Sequence, residues 1–208
     1  MDFQVGQIIR GRSIDQAQIV IGSAGIASLV DCELSRCTVK VASTEFAPGI
    51  YGSRLSDCTV IYSGRPKNMP IFSNDFLRCA FEGKFRAVDF GRNPWPDGRT
   101  YAVERSGELS DCSFEQSTLE MCRLFAVDLD RLKFAAWPQF IIPQPAAIAA
   151  AAQRRSWPGT FSRFLQVSAS EHPSLSAVTG TQAEFTKKYG ISERELIEAL
   201  ESIGGVLR

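Results

Sequence analysis

Large apolar residues recur along this chain at intervals of five, which is neither the helical period of 3.6 nor the strand period of 2. Leu109, Phe114, Leu119, Leu124, Leu129 and Phe134 form one unbroken run, and Ile9, Ile14, Ile19, Ala24, Leu29, Leu34 and Val39 repeat the spacing near the N-terminus. A small residue often sits two places earlier. All six cysteines hold that place: Cys32 before Leu34, Cys37 before Val39, Cys58 before Val60, Cys79 before Phe81, Cys112 before Phe114 and Cys122 before Leu124. Residues two apart in a strand project to the same side. Each five-residue unit thus predicts a very short strand with one small and one large inward residue, followed by a corner.

A longer period lies over the short one. Ile14, Leu34, Leu55, Phe76, Leu109 and Leu129 form one series, and Ile19, Val39, Val60, Phe81, Phe114 and Phe134 form another. The steps are 20 or 21 residues, apart from one of 33. Four five-residue sides make one coil, so these series are columns of stacked side chains, with Cys37, Cys58, Cys79 and Cys112 as a third. The pattern predicts an all-β solenoid, a parallel β-helix of about six coils, or a rod of about 25 Å at ~4.8 Å per coil. Cysteine in such a column acts as a small hydrophobe. There is no C-x-x-C, and the single histidine, His172, stands far from every cysteine. Neither a disulfide framework nor a metal site is expected.

The units Cys32-Glu33-Leu34-Ser35-Arg36, Cys58-Thr59-Val60-Ile61-Tyr62 and Cys112-Ser113-Phe114-Glu115-Gln116 resemble pentapeptide repeats. That resemblance covers roughly residues 5–137 and implies a right-handed β-helix of square cross-section. Asp or Asn at the second position of the unit is rare, Asp128 being one case, and Cys often replaces the family's usual Ala. The chain resembles a degenerate member.

Three interruptions carry Pro and Gly: Thr44 to Gly49, Gly64 to Pro70, and a longer one containing Gly91 to Thr100. They follow Val39, Val60 and Phe81, which places all three on one side of the rod. A solenoid folds without such loops, and loops on a rigid scaffold are where binding residues sit. Arg65, Lys67, Arg92, Trp95, Arg99 and Tyr101 are the candidate partner-binding residues, Arg and Trp being typical interface anchors.

The repeat stops at Trp137-Pro138, dividing the chain into a β-helix over 1–137 and a helical region over 138–208. Ala146 to Arg155 is alanine-rich and predicts a helix able to cover the open end of the rod. Thr181 with Glu184, and Ser192 with Glu195, read as capping boxes of two helices separated by Gly190. This pair resembles a helix-turn-helix hairpin. Its second helix carries Glu193, Glu195, Glu198 and Glu201 against Arg194, which is the wrong charge for reading DNA. A docking or homodimerising hairpin is the expectation.

Composition narrows the function. The formal net charge is zero, with 23 basic and 23 acidic residues, so no global field draws the chain to nucleic acid or to a membrane surface. No apolar run approaches the ~20 residues of a membrane span, and Met1-Asp2-Phe3 does not begin a signal peptide, so the expected location is the cytoplasm. No nucleophile elbow, phosphate loop or zinc-protease motif is present, and neither an enzyme nor a cofactor is expected. The expectation is a non-catalytic scaffold that binds a protein partner, of the immunity or antitoxin type. The family resemblance implies an alternative, protection of DNA gyrase by an acidic rod that mimics duplex DNA. Residues 1–137 hold 17 acidic and 16 basic residues, a weak basis for mimicry. A structural or oligomeric adaptor is the third class.

Overall fold

The computed structural model describes residues 4–22, 24–42, 49–64, 67–68, 70–72, 74–92, 105–152, 164, 167 and 173–203. The five-residue units form short strands that stack coil on coil into a parallel β-solenoid of about five turns, one fewer than the spacing predicts. The sixth coil is incomplete, and its second side, Leu129–Arg131, is a 3-10 turn.

The first face comprises β1 (Ile8–Arg10), β4 (Ser28–Val30), β7 (Ile50–Tyr51), β10 (Pro70–Phe72), β13 (Asp89–Gly91) and β16 (Arg123–Phe125). It pairs as two pieces, β1-β4-β7 and β10-β13-β16. The second face stacks β2 (Ser13–Asp15), β5 (Glu33–Ser35), β8 (Arg54–Ser56), β11 (Asp75–Leu77) and β14 (Leu109–Ser110). The third stacks β3 (Gln18–Ile21), β6 (Thr38–Val41), β9 (Thr59–Tyr62), β12 (Ala80–Arg86), β15 (Cys112–Glu120) and β17 (Leu132–Phe134). The register matches the columns read from sequence: Ile14 faces Leu34, then Leu55, Phe76 and Leu109, while Ile19 faces Val39, then Val60 and Phe81. All six cysteines are free and buried at the predicted position.

The fourth side departs from the simple five-residue rule. Ala24 is exposed, and Ile26 is buried instead. In coils one to three the third-face strands run one alternation further, burying Ile21, Val41 and Tyr62. Among the described residues the fourth side of these coils makes only isolated bridges, Ile21 with Ile26 and Lys67 with Arg86. In coils four and five, β12 and β15 continue through the corner and pair along the fourth side, Phe85 opposite Leu119. Gly83 sits at that bend with φ 132°, and a Cβ there would lie 2.7 Å from the Tyr62 carbonyl oxygen.

The corners share one backbone solution. Nine non-glycine residues, Gln16, Asp31, Arg36, Asp57, Arg78, Ala87, Asp111, Met121 and Ala126, each lie two places after a large inward residue, with φ between 49° and 56°. The left-handed region costs about 1–2 kcal/mol for such residues. It turns the corner N–H toward the neighbouring coil. Gln16 donates to the Ser35 carbonyl at 3.0 Å, Arg36 to Ser56 at 3.0 Å, Asp57 to Leu77 at 2.9 Å and Arg78 to Ser110 at 2.8 Å.

Inside, small polar groups link coils too. The backbone N–H of Cys32 donates to Ser53 Oγ at 3.0 Å, and that of Ser53 donates to Asn74 Oδ1 at 3.0 Å. The thiols of Cys32, Cys37, Cys79 and Cys112 donate to carbonyls of the preceding coil at 3.3–3.6 Å. Burial pushes the Cys37 thiol up, and that of Cys122 to about 12, so both are neutral donors.

Among the described residues strands close the end of the rod, and the alanine-rich helix packs beside them through Ile148. In the region read as helical, β18 (Gln139–Pro143) and β19 (Leu175–Thr181) form an antiparallel pair, and β19 lies antiparallel along the free edge of β16. Thr179 stands where the next coil's small residue would be: its Oγ1 accepts from the Cys122 N–H and donates to the Leu119 carbonyl, both at 3.0 Å. Gln139 Oε1 accepts from the Leu119 N–H at 2.7 Å.

Three helices whose residues are described are α1 (Pro145–Ala152), α2 (Gln182–Tyr189) and α3 (Glu193–Ile203). Gly190 ends α2 in the left-handed conformation, and Ser192 and Glu195 form the expected capping box. Thr181 makes no side-chain cap bond. The apolar faces of α2 and α3 pack on the strand cap in a second core of Phe125, Phe140, Phe164, Phe185, Leu196 and Leu200, among others. The apolar faces of the hairpin are therefore largely occupied within the chain.

Candidate functional site

Where α2 lies against the corner between the fourth and first faces, the two cores leave a cavity of about 780 Å³. That falls within the ~300–1,000 Å³ of small-molecule sites. The solenoid contributes Arg86 and Ala87 from the end of β12, Asp89 from β13, Met121 and Arg123 beside and within β16, and Lys67 and Asn68 from the fourth side. The cap contributes Val178 of β19 and Glu184, Lys188 and Tyr189 of α2, with Phe164 and Val167.

The position of α2 follows from its packing. Phe185 meets Phe140 at 4.8 Å, Phe164 at 4.9 Å and Tyr189 at 5.0 Å between ring centroids. Gly180 of β19 gives this ring room, since a Cβ there would lie 2.3 Å from Phe185. With Phe185 held, its neighbour Glu184 is turned into the cavity.

Glu184 is the unusual group. Its side chain is only 9% exposed, and neither carboxylate oxygen has a hydrogen-bond partner. The nearest cation is Arg86, whose Nη2 stands 3.7 Å from Oε1 and whose side chain is largely exposed. Burial pushes the Glu184 carboxyl up, the charge of Glu120 adds to this, and Arg86 and Lys188 oppose it. Arg123 instead binds Asp89 in a bidentate pair at 2.7 Å and lies over the Phe125 ring. Burial, with Glu184 nearby, pushes the Tyr189 phenol to about 12. Four cations and two carboxylates thus share the lining with Asn68, Ala87 and the larger Met121, Phe164, Val167, Val178 and Tyr189.

Of the candidate residues read from sequence, Lys67 reaches this cavity, exposed at its rim. Arg92 does not: it is exposed just past β13, its N–H donating to the Phe125 carbonyl at 3.0 Å. Arg65, Trp95, Arg99 and Tyr101 lie outside the described residues, as does His172. The three interruptions do not share one side. The first two leave from the third face, after β6 and β9, whereas the third leaves from the first face, after β13. The chain after Phe81 stays in strand through β12 and β13 before it departs, which the spacing of the columns alone does not show.

A second feature runs along the outside. At the corner between the second and third faces, successive coils present Asp15, Arg36, Asp57, Arg78, Asp111 and Arg131 in alternating sign. Arg36 pairs with Asp15, Arg78 with Asp57 at 2.7 and 2.8 Å, and Arg131 with Asp111 at 3.2 and 2.5 Å. Hydrogen bonds from Ser35 and Arg36 hold the Asp15 carboxyl below its ordinary range, and Arg78 and Arg131 do the same for Asp57 and Asp111.

Among the described residues no group of three or more His, Cys, Asp or Glu is arranged to hold a metal ion, and no helix is long and apolar enough to cross a membrane. Fold and site together define a parallel β-solenoid with a strand-capped end and a cavity beneath the cap. No protein-family model, curated protein or solved structure matches the chain.

Proposed function

We propose that the chain is a degenerate pentapeptide-repeat protein acting as a non-catalytic cytoplasmic scaffold that binds and neutralises a protein partner, in the manner of an immunity protein or antitoxin. The observation that carries this reading is the use to which the rod's polar groups are put. The corner aspartates and arginines pair with one another between coils, and the thiols donate to backbone carbonyls of the coil below. These groups hold the scaffold together, which leaves partner recognition to the interruptions bearing Arg65, Lys67, Arg92, Trp95, Arg99 and Tyr101. The topoisomerase-protecting alternative ranks lower, because mimicry of duplex DNA calls for rows of free carboxylates. Asp15, Asp57 and Asp111 are each neutralised by an arginine of the next coil.

The test is affinity capture from the source cells, run side by side with the wild-type chain and with Arg92→Ala, Trp95→Ala and Arg99→Ala combined. A toxin or enzyme held by the first and lost by the second supports the reading. Equal recovery by both sinks the assignment of the loops. Relief of quinolone inhibition in a gyrase supercoiling assay would favour the alternative.

A further inference from the structure

We propose that the cavity beneath α2 binds a small zwitterion of the α-amino-acid type with an apolar side chain, its ammonium group on Glu184 and its carboxylate on Arg86. The inference stands apart from the loop-borne partner site, since among the described residues only Lys67 is common to both.

Glu184 carries the argument. A buried carboxylate with no hydrogen bond to either oxygen is costly, and the Arg86 guanidinium at 3.7 Å supplies charge but no such bond, so a further donor is called for. An ammonium group offers three donors to those oxygens. A purely cationic ligand would meet Lys67, Arg86 and Lys188 around the opening, and only Glu184 would favour it. A purely anionic ligand would meet the Glu184 charge inside. A molecule that carries both signs side by side satisfies both. The 3.7 Å between Arg86 Nη2 and Glu184 Oε1 sets a guanidinium beside a carboxylate at the scale on which an α-amino acid carries its own two charges. Met121, Phe164, Val178 and Tyr189 supply an apolar wall for the side chain. Asp89 does not compete for the ammonium group, because Arg123 holds both of its oxygens.

Isothermal titration and thermal-shift measurements on the full chain test this. The probes are L-leucine, L-phenylalanine and L-tryptophan, with phenethylamine, which lacks the carboxylate, and 3-phenylpropionate, which lacks the ammonium group. At least one amino acid is expected to bind, with both single-charge analogues about tenfold weaker or more. Glu184→Gln and, separately, Arg86→Gln are expected to weaken the same amino acid by about tenfold or more. The second variant alters a largely exposed side chain, so the test survives if the first misfolds. The proposal is overturned if none of the three amino acids binds at about 10 mM, well above a weak millimolar Kd. It is equally overturned if the analogues bind as well as the zwitterion, which would mark a merely apolar pocket. Unchanged affinity in a folded variant would also overturn it.

Discussion

The two ends of the solenoid are built from the same repeat but packed differently. Coils one to three are filled by aliphatic residues, Ile9, Ile14, Ile19, Leu29, Leu34, Val39, Ile50, Leu55 and Val60. Coils four and five are filled by Phe76, Phe81, Phe85, Phe90 and Phe114. Phe81 and Phe114 stack at 4.7 Å and 7°, and Phe134 continues the stack at 5.8 Å. Phe90 meets both Phe81 and Phe114 edge-on. In these coils the fourth side is drawn into strand, with Phe85 and Leu119 buried. The ends differ in closure as well. The first coil carries Val5, Ile8 and Val20 as exposed side chains, whereas the last is covered by β19, on which α2 and α3 pack. The comparison teaches that the repeat specifies a strand and a corner, while the aromatic coils go with a fourth side in strand and the cap creates the cavity beside α2.

The sharpest way to break this contrast is at the ring stack. Phe114→Ala removes the central ring between Phe81 and Phe134 and is expected to cost about 3–5 kcal/mol in urea denaturation. A cost below 1 kcal/mol would mean the aromatic half is no better packed than its surface. Next comes the cap. Thr179→Val keeps the shape but leaves the Cys122 N–H and the Leu119 carbonyl without partners, at an expected cost of about 1–3 kcal/mol. Hydrogen exchange should show the loss first at β16 and β19, and unchanged protection there would argue against capping by Thr179. In the first coil, Ile8→Thr and Val20→Thr change outward side chains and are expected to move stability by no more than about 0.5 kcal/mol.

The smallest effect concerns acid. The folded-state carboxyls of Asp15, Asp57 and Asp111 lie below their ordinary value near 3.8. Their contribution is present above that value and is lost as pH falls through the lower folded-state values. Denaturation midpoints followed from pH 6 downward should fall less steeply in Asp57→Asn with Asp111→Asn than in the wild type. Glu184 works the other way. Its folded-state carboxyl is raised, so it favours the fold at low pH and weakens it as pH rises through the folded value. Glu184→Gln should therefore be at least as stable as the wild type at pH 7, and a clear loss there would contradict a carboxylate left without hydrogen bonds.

The periodicity made most of the rod legible. Ile14 to Leu109 and Ile19 to Phe134 could be placed in columns because period and coil length coincide, and the cysteines could be read as core because each keeps one place in the unit. The corners could not be read. Ala87, Met121 and Ala126 have no side-chain preference for the left-handed region, yet the turned N–H of Ala87 meets the Glu120 carbonyl of the next coil and that of Ala126 meets the Ser174 carbonyl beside β19. The candidate site was less legible still. Lys67 was found from its loop, but Glu184 looked like half of a capping box with Thr181, a local pattern that the structure does not use.

By itself, then, the sequence determined the solenoid, its columns and the place of its cysteines, because these rest on short-range alternation repeated many times. Only the tertiary structure decided the turn of each corner, the strand cap and the cavity beneath it. These depend on contacts between segments far apart in the chain, such as Cys122 with Thr179 and Arg86 with Glu184, and no local spacing encodes which distant groups will meet.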